Sequence, residues 1–149
     1  MNIVAKDYSM ATKSYDIFFS GCKAIPFCED CHNPEAWDFK CGTDWNLHKS
    51  EIAENVKLFN TLIDKIFLLG GEPLDQDRGE FLECVDFLHS LNKELWLFTR
   101  FDITEIPNDL QQKFAYIKCG RYLPELSTNN NIQYGVSLAT SNQYIVKIN

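Results

Sequence analysis

The sequence predicts an α/β domain built on a mostly parallel sheet, and three observations carry that prediction. Short apolar runs at residues 15–20, 65–69 and 94–99 alternate with stretches of helical spacing at 51–64, 78–92 and 107–113. The runs lead into Gly21, Gly70 and Thr99-Arg100, so their connecting loops start at the carboxyl ends of strands. The 149 residues contain no repeat, low-complexity tract or Pro/Gly/Ser linker, which fits one domain over 1–149.

Each element has its own reason. Tyr15-Asp16-Ile17-Phe18-Phe19-Ser20 is an aromatic, apolar run that reads as the first strand. Glu35 to Phe39 is a short amphipathic piece, with Trp37 and Phe39 expected to cover the loop before it, and Cys41-Gly42 is a turn. Ser50 is placed to cap a helix from Glu51 to about Asp64, with Ile52, Val56, Phe59 and Ile63 as its apolar stripe. Lys65 to Leu69 reads as a buried strand, and Arg78 to Asn92 as a helix presenting Phe81, Val85, Leu88 and Leu91. A third strand over Glu94 to Thr99 and a short helix over Pro107 to Lys113 follow. Gly120 to Gln143 reads as an irregular tail, with Asn129 to Asn131 as a solvated loop, before a last strand from Tyr144 to Ile148. In a parallel α/β sheet the loops at the strands' carboxyl ends share one edge. The loop after Gly21, the Gly70-Gly71-Glu72-Pro73 turn and Thr99-Arg100 are therefore expected to meet.

Charge and cysteine usage exclude several classes. Lys plus Arg total 14 against 21 Asp plus Glu, a net charge of −7, which argues against a nucleic-acid partner because phosphate needs a basic face. No run reaches the length of a membrane span. The N-terminal residues lack the apolar core of a signal peptide, and the six cysteines lack the spacing of a disulfide scaffold, so a reducing, cytoplasmic setting is expected.

The chemistry is concentrated in Gly21 to Pro34. Cys22, Cys28 and Cys31, with gaps of five and two residues, converge within one loop, while Pro26 and Pro34 prevent helix between them. Three thiols are one short of a closed tetrahedral zinc site. His32 or Cys41 could complete such a site, and structural zinc stays open as an alternative. Cys84, inside a helical stretch, and Cys119 read as inert buried thiols. At Gly70-Gly71-Glu72-Pro73 the glycines allow close approach of backbone to a ligand, and Glu72 offers a carboxylate to an ammonium group. A ligand with an amino-acid head suits that turn.

Together, three cysteines after one strand and Gly-Gly-Glu-Pro after a later one resemble the radical S-adenosylmethionine (SAM) enzymes. Phe19-Ser20-Gly21-Cys22, Cys31-His32-Asn33-Pro34 with Trp37, Gly70-Gly71-Glu72-Pro73-Leu74, Phe98-Thr99-Arg100-Phe101, Lys118-Cys119-Gly120-Arg121-Tyr122 and Thr140-Ser141-Asn142-Gln143 resemble, in order, the activating protein of anaerobic (class III) ribonucleoside-triphosphate reductase. That resemblance implies a partial (βα) barrel of radical SAM type. It further implies that Cys22, Cys28 and Cys31 hold a 4Fe-4S cluster whose fourth iron is chelated by SAM. Gly70, Gly71 and Glu72 would line the methionine end, Asp30, Cys31 and His32 the nucleoside, with Thr99 as a further contact, and Ser141 to Gln143 would lie near the site. The implied oxidoreductase activity is reductive SAM cleavage to a 5′-deoxyadenosyl radical, which takes hydrogen from a glycine of the reductase and leaves a glycyl radical there. Its partners would be that reductase and a low-potential electron donor such as flavodoxin or ferredoxin.

Three positions depart from the family: five residues rather than three separate Cys22 from Cys28, Asp30 precedes the third cysteine where many radical SAM proteins have an aromatic and this family often a small residue, and Arg100 replaces a glycine. Two rival functions are a radical SAM enzyme for a small molecule, similar to a 7-carboxy-7-deazaguanine synthase, and a non-enzymatic zinc module. The first needs a substrate pocket for which the chain has little spare sequence.

Overall fold

Side chains alternate between two faces along a β-strand, and in the middle strands both faces are apolar. The computed structural model covers residues 1–149. Its strands are β1 (Asn2–Ser9), β2 (Ser14–Phe19), β3 (Thr43–Asp44), β4 (Lys65–Gly70), β5 (Glu94–Phe98), β6 (Tyr116–Cys119), β7 (Ile132–Gln133), β8 (Val136–Ser137) and β9 (Tyr144–Lys147). Its α-helices are α1 (Lys49–Leu58), α2 (Arg78–His89) and α3 (Asn108–Gln111). Seven strands form one sheet in the order β3-β1-β2-β4-β5-β6-β9, and β7 with β8 forms a separate ribbon.

The central strands β2, β4, β5 and β6 are parallel, joined through α1, α2 and α3. Crossovers of one hand, stepping in one direction, put every helix on the same face. Ile66 and Leu68 of β4, Leu95 and Leu97 of β5, and Ile117 and Cys119 of β6 pack there against Ile52, Val56, Phe81, Cys84, Val85, Leu88 and Leu110. The alternate residues Phe67 and Trp96, with Leu69, Phe98 and Tyr116, meet Val136, Leu138 and Ile145 on the opposite face. The sheet is α/β as expected, and it is open: β3 and β9 each have one neighbour and run antiparallel to it.

The structure corrects several boundaries. The run at 15–20 is the second strand, not the first; β1 precedes it, paired antiparallel with it, and its only buried residue is Ile3, which is why its pattern was weak. The first helix starts at Lys49 with His48 as its N-cap and ends at Leu58, short of Asp64. Beyond it Leu62 and Ile63 donate to Phe59 O, and Asp64 donates to Lys13 O, which draws the chain down into β4. Asp77 caps α2, its side chain accepting from Glu80 N, and α2 stops at His89. The short predicted helix over Pro107 to Lys113 contracts to α3 with Pro107 at its N-cap. The tail is built rather than irregular: Asn131 Nδ2 donates to Thr140 O and Gln143 O at 2.9 and 2.8 Å, fixing the β7-β8 ribbon to the segment before β9. Asn131 is therefore not part of a solvated loop. No helix is long and apolar enough to cross a membrane.

Candidate metal centre

The cysteine loop leaves β2 through Gly21, whose φ of +101° suits glycine and whose missing Cβ leaves room for the Phe39 ring. Gly21 N donates to Ala36 O and Cys22 N to Trp37 O, so the loop returns against its own start. Trp37 stacks on Phe27 with centroids 4.2 Å apart, and thus covers the loop as its position suggested, whereas Phe39 packs on Gly21 at the loop's root.

The turn after β4 is locked to that root. Gly71 N donates to Phe19 O and Glu72 N to Gly21 O, both at 2.8 Å. A Cβ on Gly71 would lie 2.4 Å from Gly21 O and 2.5 Å from Ala36 O. Gly71 is required first by this backbone approach, in addition to any contact it makes with a ligand.

Cys22, Cys28, Cys31, His32, Gly70, Gly71, Glu72 and Thr99 border one cavity of about 270 Å³, close to the ~300 Å³ at which small-molecule sites begin. The three loops expected to meet do meet. Arg100 and Lys118 add cations to the wall, and Ser137, Leu138, Ala139 and Gln143 close it from the tail. Of the Ser141–Gln143 element, Gln143 alone lines the cavity; Asn142 Nδ2 donates to Arg121 O, and Ser141 is exposed. Asp30 is exposed with φ +52° and does not border the cavity.

Two expected side-chain roles change. The Glu72 carboxylate is 1% exposed and already accepts from Leu74 N at 3.1 Å, Thr99 Oγ1 at 2.7 Å and Arg100 N at 2.8 Å. It is the pin of its turn, not a free receptor for an ammonium group. Burial pushes its carboxyl above the usual range, opposed by those donors. Thr99 donates to Glu72 and accepts from Phe101 N, so its hydroxyl is used within the protein. Sequence reading gave Lys118 no role, yet burial lowers its ammonium to about 8 as it borders the cavity. A lysine inside an otherwise apolar strand, Tyr116-Ile117-Lys118-Cys119, was the available signal.

All six cysteines are free thiols. Cys84 and Cys119 are buried in the helix-side core, away from the cavity, where burial raises them to about 12 and about 11 and favours the protonated thiol. Cys22, Cys28 and Cys31 are half-buried beside the cavity, and burial also raises Cys22, with Arg100 favouring its thiolate. Cys41 lies outside the cavity wall. No three His, Cys, Asp or Glu side chains converge on a single-ion site. Three thiols bordering one cavity, with Arg100 and Lys118 beside it, are a donor set that suits an iron–sulfur cluster, which is held by cysteine thiolates.

No curated protein and no solved structure matches the chain. Residues 13–138 match the family model described as a 4Fe-4S single cluster domain. That match takes in β2, the cysteine loop and every other residue bordering the cavity except Ala139 and Gln143. The protein therefore belongs to the 4Fe-4S single cluster domain family, and Cys22, Cys28 and Cys31 lie within the matched residues and border the cavity.

Proposed function

We propose that this protein is a radical SAM activase, which uses its 4Fe-4S cluster to generate the glycyl radical of anaerobic ribonucleoside-triphosphate reductase. The observation that supports this most is the convergence of three thiols, the Gly70-Gly71 turn and the ends of β5 and β6 on one cavity. A cluster held by three cysteines keeps one iron for an outside ligand. SAM held at that iron would supply, on one-electron reduction, methionine and a 5′-deoxyadenosyl radical able to take the glycine hydrogen.

The chain's own residues bind and shield. The backbone of Gly70 and Gly71 borders the cavity beside the thiols and suits the polar methionine end, and the Lys118 ammonium can pair with a carboxylate. The His32 ring, tilted against Tyr122 at 4.8 Å, offers a face to the nucleoside along with the Cys31 backbone, both bordering the cavity. Leu69, Phe98 and Leu138 exclude water from the apolar wall, which protects a radical from unwanted hydrogen donors. The parallel order β2-β4-β5-β6 in an open sheet with all helices on one face supports the reading as a partial (βα) barrel of radical SAM type. The electron donor is taken to be a low-potential flavodoxin or ferredoxin, and the setting cytoplasmic.

The test is anaerobic reconstitution with iron and sulfide, then SAM and dithionite, first alone and then with the reductase. Methionine and 5′-deoxyadenosine are expected in the first arm, and a glycyl radical by electron paramagnetic resonance in the second. SAM cleavage without reductase radical formation would favour a small-molecule radical SAM enzyme. Zinc uptake with no iron–sulfur absorption would reject both.

A further inference from the structure

Asp75 and Arg100 lie beside the cysteine loop. Asp75 Oδ2 accepts from Lys23 N at 2.6 Å, holding the peptide that follows Cys22. Both oxygens of the same carboxylate also accept from Arg100 Nη2 at 3.0 Å. Arg100 Nε stands 3.9 Å from Glu72 Oε2, and its guanidinium lies over the Phe101 ring at 4.0 Å. Asp75 is 8% exposed and Glu72 1%, so one guanidinium faces two carboxylates that solvent barely reaches. Arg100 Nε–H is buried with no acceptor, and Arg100 borders the same cavity as the three thiols. On the loop's far side an Arg121 Nη2 donates to Pro26 O.

We infer that Asp75 and Arg100 form a charged clasp which both positions the loop at Cys22 and sets the cluster's reduction potential. They are positioning residues that act through the Cys22 segment and through their field. Reduction places one electron, delivered by the chemical reductant, on the cluster and its thiolates, making that unit more negative by one charge. A fixed cation beside it stabilises the reduced form, and a fixed anion opposes it. Asp75 is nearly buried and Arg100 is 23% exposed, so both effects are screened less than at an open surface. This inference rests on the cluster, not on SAM cleavage or on the reductase.

The experiment is a redox titration of the reconstituted cluster in Arg100→Gln, Arg100→Lys, Asp75→Asn and the double Arg100→Gln/Asp75→Asn protein. Iron content and the melting temperature of each cluster-free protein are measured alongside. The potential is expected to fall in Arg100→Gln, rise in Asp75→Asn, and return toward wild type in Arg100→Lys and in the double variant. Charge alone predicts these opposite directions, because a brace without electrostatic action loses iron and stability in both single variants alike. A shift in the same direction for both single variants, or unchanged potentials alongside falling iron content and melting temperature, overturns the inference. If Arg100→Gln does not fold, a potential for Asp75→Asn that is not above that of Arg100→Lys overturns it equally. Ordered potentials in a protein that never cleaves SAM would sink the proposed function and leave this inference standing.

Discussion

The two faces of the sheet are built to different standards. The helix-side core gathers 21 buried residues from strands and helices, whereas the opposite face gathers five, held down by a short ribbon and a tail. The candidate centre lies with the thinner side: Leu69, Phe98, Lys118 and Leu138 reach the cavity from it, and none of the helix-side strand residues does. Stability and chemistry are thereby separated by the thickness of one sheet, and a wall with few contacts can be reshaped without unfolding the domain.

The sharpest break between the faces concerns the thiols. Cys22→Ala, Cys28→Ala or Cys31→Ala should each abolish iron–sulfur absorption after reconstitution. Cys84→Ala and Cys119→Ala, on the helix side, and Cys41→Ala, outside the cavity, should keep it; loss of the cluster in Cys41→Ala would return the site to a closed four-ligand design. Phe81→Ala should cost about 3–5 kcal/mol in denaturant unfolding, since Phe81 is 2% exposed in the main core. Leu138→Ala, just past the ribbon, should cost less, about 2 kcal/mol, because its smaller cluster can collapse around the gap, while SAM affinity measured by calorimetry should fall. Gly71→Val tests the seam between the faces. Its side chain would meet the backbone of Gly21 and Ala36, so cluster uptake and SAM binding should fall together rather than SAM binding alone.

The smallest effect is a pH dependence. Burial lowers Lys118 to about 8 in the fold, below its value in the unfolded chain. The cost of keeping it charged is therefore complete below pH 8 and disappears as the pH rises from there toward the unfolded value of about 10.4. In the cluster-free protein, Lys118→Met should be more stable than wild type at pH 7, by on the order of 2 kcal/mol, and that advantage should shrink above pH 8. A pH-independent difference between the two would show that the ammonium is hydrated.

How much the sequence disclosed differs between the faces as well. Ile66, Leu68, Leu95 and Leu97 sit in continuous apolar runs, and the helices above them carry regular stripes, so the helix side and its strand ends were readable. The meeting of the cysteine loop, the Gly70-Gly71 turn and Thr99 followed from those strand ends alone. The ribbon face was not readable, because β7 and β8 are two residues each and their registration depends on Asn131 and Gln133 side chains rather than on a pattern. Glu72 misled for a related reason: a carboxylate beside two glycines looks available for a ligand, and only the fold reveals three internal donors aimed at it.

The Asn131 fastening carries a consequence for how such a centre can change over time. The strip that contributes Ser137, Leu138 and Ala139 to the chamber is tied by Leu138 N to Asn131 O and by Thr128 N to Ala139 O, and the Asn131 amide grips Thr140 O and Gln143 O just beyond it. That strip lines the chamber from an element separate from the thiols, the glycine turn and the buried carboxylates, so side-chain changes along it alter the chamber's wall without touching those groups.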